Sequence, residues 1–171
     1  MLRVVEESDL QQLREWRNNS ALRQYFREYR GLTFLDQAHW FESLLGDDTK
    51  IMFAIDSKGL VGCCGLTNID WVNRSAEISI YLGEVELGKD PVYIDNKIAP
   101  AALKELMTYA FDECGLSRLW AEVFSFDNLK ADLFTSAGFE KEATLRGAHF
   151  TKGKAFDSNI YGYLVDEWRS A

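Results

Sequence analysis

Three segments of this chain decide its fold: AEISIYL at residues 76–82, IAPAALKELMTYAFDEC at 98–114 and LWAEVF at 119–124. The first and third predict strands, and the third is apolar enough to be buried. The second places its apolar residues on one face of a helix, and Gly115 follows at its end. A helix between two strands is the usual connection of parallel neighbours, so we predict one parallel step in the sheet.

The segment before this crossover predicts an antiparallel meander. Short apolar runs at 51–55 and 60–69 are followed by the strand at 76–82, with turns at 56–59 and 70–74. Loops this short join antiparallel neighbours. The sheet is therefore expected to be mostly antiparallel.

The N-terminal part predicts a short strand and three helices. Ser8 is the expected cap of the first helix, and a second short helix is expected at 22–27. Thr33 or Asp36 opens the third helix, which Gly46 ends.

The C-terminal part predicts a helix at 127–137 and a hairpin at 139–165 that turns at Lys152–Gly153. We therefore predict a single domain, residues 1–171, of the mixed α/β class with helices on both faces of the sheet.

The composition limits the classes of partner. The 171 residues are 47% hydrophobic and carry a formal net charge of −8, with no Lys/Arg run longer than two residues. Nucleic acids and anionic membranes bind clustered positive charge, so neither is expected as a partner. The start of the sequence has no apolar signal segment, and the odd number of cysteines includes no C-x-x-C spacing. These features predict a cytoplasmic protein with reduced thiols and no bound metal.

This order of elements, together with several local motifs, resembles the Gcn5-related N-acetyltransferase (GNAT) superfamily. Within it the chain is most similar to the RimJ/RimL-type proteins and the sugar-nucleotide N-acetyltransferases of pseudaminic acid synthesis. The residues that carry the resemblance are 16–18, 39–41, 62–71, 73–74, 76–83, 109–111, 115–116, Asn128, Ala131, 138–139, Gly153 and Asp157. The likeness spans nearly the whole chain in the right order.

The resemblance implies that acetyl-CoA lies where the strand at 78–82 splays from the strand at 119–124. Backbone groups of the loop that enters the long helix would then hold the pyrophosphate. The cofactor-binding residues implied are Ile78, Ile80, Tyr93, Asn96, Lys97, Ile98, Ala99 and Asn128. The acceptor would approach from the other side.

The phosphate loop departs from the pattern of the family. Lys97 stands at the first glycine position and Ala99 at the second. Two interpretations follow: the loop no longer binds a pyrophosphate, or the helix N-terminus still donates N–H groups while Lys97 adds a charged contact.

The resemblance also places Phe134 where the family often has a tyrosine that protonates the leaving thiolate. Phe134 has no proton to donate, and Tyr81 and Tyr93 are the candidate substitutes. Glu77 is either the base that deprotonates the amine or a strand glutamate that faces solvent or pairs with an arginine. Backbone N–H groups near Ile80 and Tyr81 are expected to stabilise the oxyanion.

The acceptor side implied by the family is formed by the first helices and the meander turn. The expected substrate-binding residues are Arg17, Asn18, Arg30, Trp40, Asp70 and Trp71. Planar Arg and Trp groups suit a phosphorylated or sugar acceptor, although Trp40 is equally explained as helix core and Arg17 as a surface charge. His149 on the final hairpin either faces the acceptor or, as the first expectation, lies on a strand surface. Neither His149 nor His39 is expected to belong to a hydrolase triad or a zinc site.

We therefore predict an acetyl-CoA-dependent N-acetyltransferase that acts on a primary amine by direct attack in a ternary complex. The first-ranked acceptor is a small molecule of the amino-sugar nucleotide type, and a protein N-terminus is the second. A degenerate, non-catalytic binding module is the alternative outside the enzymes. A homodimer is left open.

Overall fold

The protein is described here from a computed structural model that covers residues 1–83 and 97–170. In these residues, seven strands form one sheet in the order β1-β2-β3-β4-β5-β7-β6. The strands are β1 (Leu2–Val4), β2 (Ile51–Asp56), β3 (Leu60–Asp70), β4 (Ser75–Leu82), β5 (Arg118–Phe124), β6 (Glu140–Thr151) and β7 (Lys154–Leu164). Only β4 and β5 pair in parallel among these neighbours, so the predicted sheet and its single parallel step are confirmed.

The helices cover both faces of the sheet. They are α1 (Leu10–Asn18), α2 (Ser20–Arg23), α3 (Phe34–Ser43), α4 (Ile98–Thr108), α5 (Asn128–Ser136) and α6 (Val165–Ser170). A π-helical turn, Tyr109–Glu113, continues α4. One cluster of buried side chains lies between the sheet and α4 and α5, and a second lies between the sheet and α1. Cys64 belongs to the first cluster and Cys63 to the second, as expected for adjacent residues of a strand.

The N-terminal helices differ from the prediction in where they begin. A 3-10 turn at Glu7–Asp9 precedes α1. The carboxylate of Asp9, not the hydroxyl of Ser8, organises this turn, because it accepts a hydrogen bond from the Glu6 N–H at 2.9 Å. It also pairs with Arg3 at 2.7 Å, which a local capping pattern does not reveal.

The second and third helices are fixed by side-chain caps. Asn19 accepts a hydrogen bond from the Ala21 N–H, so α2 begins at Ser20, two residues before the predicted start, and ends at Arg23, four residues before the predicted end. Thr33 and Asp36 cap each other's N–H groups, which makes Thr33 the N-cap of α3.

The C-terminal hairpin turns where the sequence predicts. Lys152 and Gly153 have φ values of 49° and 76°, the left-handed conformation that suits a two-residue hairpin. The final strand stops at Leu164, one residue before the predicted end, and residues 165–170 form α6, a helix that the sequence analysis did not predict.

Candidate active site

The sheet opens between its two middle strands. β4 and β5 pair at Ser75–Arg118, Ala76–Leu119 and Glu77–Trp120. Both strands continue beyond the last pair, to Leu82 and Phe124, without further pairing to each other. Past Glu77 the facing edges of β4 and β5 are therefore free of sheet hydrogen bonds between the two strands.

A cavity of about 690 Å³ lies at this opening. Residues 78–81 of β4 form one wall, and Glu122, Phe124 and the first turn of α5 form the other. Residues 25–30, which connect α2 to α3, cover the acceptor side. Glu77 lies at the closed end, where the two strands separate.

A β-bulge directs Asn68 toward Glu77. Thr67 pairs with Glu77 and Asp70 with Ser75, so β3 has one more residue than β4 in this interval. Asn68 has a φ of 49°, and its side-chain amide donates to Glu77 Oε2 at 2.7 Å. The bulge thus holds one side of a carboxylate that is only 4% exposed.

Arg27 holds the other side of Glu77 and links β4 to β5. Its Nη2 donates to Glu77 Oε1 at 2.5 Å and its Nη1 to Oε2 at 3.2 Å. Its Nε donates to Glu122 Oε2 at 2.9 Å, and Nη2 contacts the same oxygen. Burial opposes the charge of Arg27, but the hydrogen bond and charge of Glu77, with the charge of Glu122, hold its pKa above the ordinary value. One guanidinium therefore bridges both carboxylates where the strands part.

The first turn of α5 completes the wall on the β5 side. Asp127, which is buried, caps the helix by accepting from the Lys130 N–H at 3.1 Å. Asn128 is exposed and lies outside the lining of the cavity. The side chain of Lys130 lines the cavity, and burial lowers its pKa. The cavity is thus lined from α5 by Asp127 and Lys130, and the cofactor contact expected for Asn128 stays a prediction.

The entrance to α4 retains one feature of a phosphate-binding turn. Lys97 is the N-cap residue of α4 and has φ 60° and ψ 1°, the left-handed conformation that glycine adopts most easily. Ile98 is partly buried and Ala99 is fully buried against the core, so their side chains serve packing. Tyr93 and Asn96 lie outside the described residues.

Two of the six predicted acceptor residues line the cavity, namely Arg17 and Arg30. The guanidinium of Arg17 stacks over the Phe26 ring, with its central carbon 4.5 Å from the ring centroid. Arg30 pairs with Glu28 at 2.9 Å. These contacts orient both arginines along the connection between α2 and α3.

The other four predicted residues lie away from the cavity, each for a structural reason. Asn18 exchanges two hydrogen bonds with the backbone of Leu32. Trp40 packs against the core cluster beside α1. Asp70 accepts two hydrogen bonds from Asn73 within the β3–β4 turn, and the Trp71 ring donates to the Asp48 carbonyl at 2.8 Å. These contacts shape loops and core and leave the acceptor side to other residues.

The candidate proton donors occupy different environments. Phe134 is fully buried and packs edge-to-face on Phe139, as expected for a core aromatic. Tyr81 lines the cavity, packs edge-to-face on Phe26 and hydrogen-bonds the Cys63 thiol. Burial raises the pKa of that thiol to about 12, so Cys63 is not a nucleophile at neutral pH.

His149 lies beside the cavity and not on an open strand surface. Its ring stacks on Phe124, with centroids 3.6 Å apart, and it lines a neighbouring cavity of about 600 Å³ with Arg27 and Tyr29. Burial lowers its pKa.

Among the described residues, no group of three or more His, Cys, Asp or Glu side chains is arranged to hold a metal ion. Within residues 1–83 and 97–170, no helix has the length and apolar composition needed to cross a bilayer.

Sequence analysis missed Arg27, Glu122 and Lys130. Glu122 carried a usable signal, since it is the single acid in the buried strand LWAEVF. Arg27 carried none, because its partners are 50 and 95 residues away in the sequence.

Comparison with known proteins places this architecture among acetyltransferases. The family model described as an acetyltransferase (GNAT) domain matches residues 2–160. YoaA of Bacillus subtilis, named an uncharacterized N-acetyltransferase, is 26% identical over 96% of this chain and 92% of its own length. YdaF of the same organism, whose name provisionally assigns it to ribosomal N-acetylation, is 30% identical over 82% of this chain and 71% of its own.

A spermidine N(1)-acetyltransferase of Vibrio cholerae is 25% identical over 91% of this chain and 87% of its own length. The crystal structure of spermidine N-acetyltransferase from that organism, in complex with CoA and spermine, superposes with a TM-score of 0.87. This superposition covers 99% of this chain and 97% of the other at 22% identity, which shows a shared fold. Another structure of that enzyme is described as dodecameric and has a TM-score of 0.81 at 22% identity, covering 100% and 98%.

Proposed function

This chain belongs to the GNAT acetyltransferase family and is an N-acetyltransferase, and we propose that its acceptor is the primary amine of a small cationic molecule. The observation that carries the proposal is the pair of carboxylates, Glu77 and Glu122, around one cation at the point where β4 and β5 part. In this protein that cation is Arg27. An acceptor ammonium group would share these two carboxylates with Arg27.

The open edge of β4 suits the acyl donor, acetyl-CoA. A chain of amide groups can hydrogen-bond to a strand edge as an added strand does, and the edge at Ile78 and Ile80 faces the gap. Lys97 and the first N–H groups of α4 would hold the pyrophosphate, because a helix N-terminus attracts anions. Acetyl-CoA supplies the activated acetyl group. The Tyr93 and Asn96 contacts expected from the sequence stay a prediction.

Glu77 is proposed as the base that accepts a proton from the acceptor nitrogen. An amine attacks a thioester only after losing a proton, and a carboxylate at the closed end of the gap can accept that proton directly or through a water molecule. Arg27 and Asn68 fix both oxygens of Glu77, so the carboxylate keeps one orientation. Alternate peptide N–H groups of residues 78–81 point away from β3 to the open edge, and these would stabilise the oxyanion that forms as nitrogen adds. Tyr81, whose hydroxyl is engaged by Cys63, is assigned to the wall of the acceptor side.

Among cationic acceptors, a polyamine is the best supported. The Vibrio cholerae relative named for spermidine and its complex with CoA and spermine favour this class. The amino-sugar nucleotide that the sequence analysis ranked first has no counterpart among the relatives reported above. Arg17 and Arg30 could bind its phosphates, so it remains the second candidate. An N-terminal peptide is the third, on the basis of the ribosomal name of YdaF.

The proposal is tested by measuring CoA release with acetyl-CoA and three acceptors in parallel: spermidine, an amino-sugar nucleotide and a peptide with a free N-terminus. We expect the highest kcat/KM with spermidine, and a lower value for Glu122→Gln with that acceptor. Glu142→Gln, which alters an exposed carboxylate on β6, serves as the matched control. Turnover of the peptide alone would reject the small cationic acceptor.

Two further expectations complete the proposal. The sequence left a homodimer open, and one structural neighbour is described as dodecameric. Light scattering would measure whether this chain self-associates. The cytoplasmic location and the single domain predicted from the sequence remain part of the proposal.

A further inference from the structure

Two residues at the start of α5 line the cavity, Asp127 and Lys130. Of these, Lys130 carries an ammonium group that can donate a proton. It lies in the first turn of α5, across the gap from residues 78–81 of β4. It also precedes Phe134 by four residues, so both side chains lie on the same face of the helix. Phe134 points into the core and Lys130, one turn nearer the opening, points into the cavity.

Acetyl transfer leaves sulfur with an electron pair, and a proton donor beside the gap speeds its departure. The described groups on the other walls suit this less well. Phe134 has no proton, and the Tyr81 hydroxyl is engaged by Cys63 on the adjacent strand β3. Arg27 is held by two carboxylates that raise its pKa, so it retains its protons. Tyr25, whose ring contacts Phe126, and Tyr29, which is 81% exposed, belong to the connection between α2 and α3 and not to the α5 wall.

The charges around Lys130 come from every element packed about the gap. Asp127 lies on its own helix, Glu77 on β4, Glu122 on β5, and Arg27 on the connection between α2 and α3. Burial and the charge of Arg27 lower the pKa of the lysine, while the three carboxylates raise it, and the balance is a lowered pKa. A lowered pKa brings an ammonium group closer to a thiol in acidity, which favours proton transfer between them.

We propose that Lys130 is the general acid of the reaction and protonates the leaving sulfur. The carbon–sulfur bond breaks with its electron pair on sulfur, and an Nζ–H proton moves to that sulfur to give the thiol and a neutral amine. The acceptor ammonium loses two protons in all. Glu77 passes the first to solvent, and the second, released as the amide forms, returns Lys130 to its charged form.

This inference rests on the proposed acetyl transfer and is tested with two substitutions. Lys130→Met removes the charge and the proton at similar length, while Lys130→Arg keeps the charge but does not titrate near neutral pH. Lys141→Met on the exposed strand β6 is the matched control. Acetyl-CoA binding is measured by calorimetry and folding by thermal melts for every variant.

We expect kcat to fall about 100-fold in both Lys130 variants, which is the lower range for the loss of a general acid. The acetyl-CoA affinity is expected to stay at the wild-type level in every variant. The kcat of Lys141→Met is expected to stay at the wild-type level as well. The wild-type kcat should decline at alkaline pH as Lys130 loses its proton, and this decline should be absent in both Lys130 variants. Lys130→Arg with wild-type kcat would overturn the proposal.

A second measurement does not depend on activity. Competitive acetylation with acetic anhydride, followed by mass spectrometry of the unliganded protein, gives the pKa of Lys130 beside that of Lys141. We expect a lower value for Lys130, and equal values would overturn the assignment even if Lys130→Met failed to fold. If the wild type acetylates no amine at all, both the proposed function and the role of Lys130 are rejected. An active wild type with unaffected Lys130 variants rejects only the role of Lys130.

Discussion

The two edges of β5 differ completely in how they are used. On one edge, β5 pairs with β7 along its whole length, from Arg118–Leu164 to Phe124–Ser158. On the other, pairing with β4 ends at Glu77–Trp120. We call the first the sealed seam and the second the open seam. A strand anchored along one edge can leave the other free, so the sheet gains a binding cleft without losing the strand.

Each seam carries an arginine paired with carboxylate, and the two pairs have different surroundings. Across the sealed seam, Arg118 Nη1 donates to Glu142 Oε1 at 2.8 Å, and the glutamate side chain is 40% exposed. At the open seam, Arg27 pairs with Glu77, which is 4% exposed. Exposed pairs contribute little to stability, whereas a buried carboxylate depends on its partners. The exposed Arg118–Glu142 pair is therefore expected to contribute little, whereas the Arg27–Glu77 pair belongs to the lining of the cavity.

The largest effect is expected from the core beneath the open seam. Phe134→Ala should lower the free energy of unfolding by about 3–5 kcal/mol, because a fully buried aromatic side chain is replaced by a void. Urea denaturation measures the change. Phe150→Ala on the hairpin, where the side chain is 72% exposed, is the control and should change stability little. Equal losses in the two variants would show that α5 does not support the open seam.

The next effect concerns the carboxylate at the closed end of the open seam. Glu77→Gln should lower kcat/KM about 100-fold, because the amide cannot accept the proton of the acceptor. Its matched partner at the sealed seam, Glu142→Gln, should leave kcat/KM at the wild-type value. Steady-state CoA release decides the comparison. Similar activity in the two variants would remove Glu77 from the reaction.

A smaller effect is expected at the sealed seam itself. A Cβ at Gly162 would lie 2.2 Å from Glu142 Oε1, so Gly162→Ala must push that flexible side chain away from Arg118. Since the pair is exposed, the loss should be about 1 kcal/mol or less. Guanidinium denaturation measures it, and activity should stay unchanged. A loss of activity here would mean that the two seams are coupled.

The smallest effect is expected from His149 next to the open seam. Burial lowers the pKa of His149, so the folded state prefers the neutral ring. The unfolded chain therefore binds more protons as pH falls below the ordinary value of about 6.5, and folding loses stability in that direction. His149→Gln should reduce this loss, measured as the difference in Tm between pH 7.5 and pH 5.5. An unaltered pH dependence would show that His149 is solvated like a surface residue.

The comparison of seams also explains what sequence could predict. Local signals predict two other pairings: the Lys152–Gly153 turn sets the β6–β7 hairpin, and the helix before β5 sets the parallel step between β4 and β5. The β5–β7 pairing of the sealed seam joins distant segments and has no local signal. The open seam came from the family resemblance, and Glu77 was found because it lies within β4. Arg27 and Glu122 were missed because their pairing is long-range. For Asp70 and Trp71 the structure shows local contacts, to Asn73 within the β3–β4 turn and to the Asp48 carbonyl, and their substrate role stays a prediction.

The register of α5 shows how a small offset changes a site. A position near the start of α5 was expected to meet the ligand, and Asn128 was the natural candidate from its residue type. The helix begins with Asp127 as its cap, which turns Asn128 to solvent and Lys130 into the cavity. Successive helical residues point about 100° apart, so the offset of two residues from Asn128 to Lys130 redirects the side chain to another side of the helix.

Amide hydrogen exchange with and without acetyl-CoA tests the open seam most directly. If the donor adds to the free edge of β4, amides of residues 78–82 should exchange more slowly in its presence, while those of β7 at 154–164 keep their rate. The account predicts that contrast. Equal protection of both strands, or no protection of β4 at saturating acetyl-CoA, would contradict the claim that the open seam binds the donor.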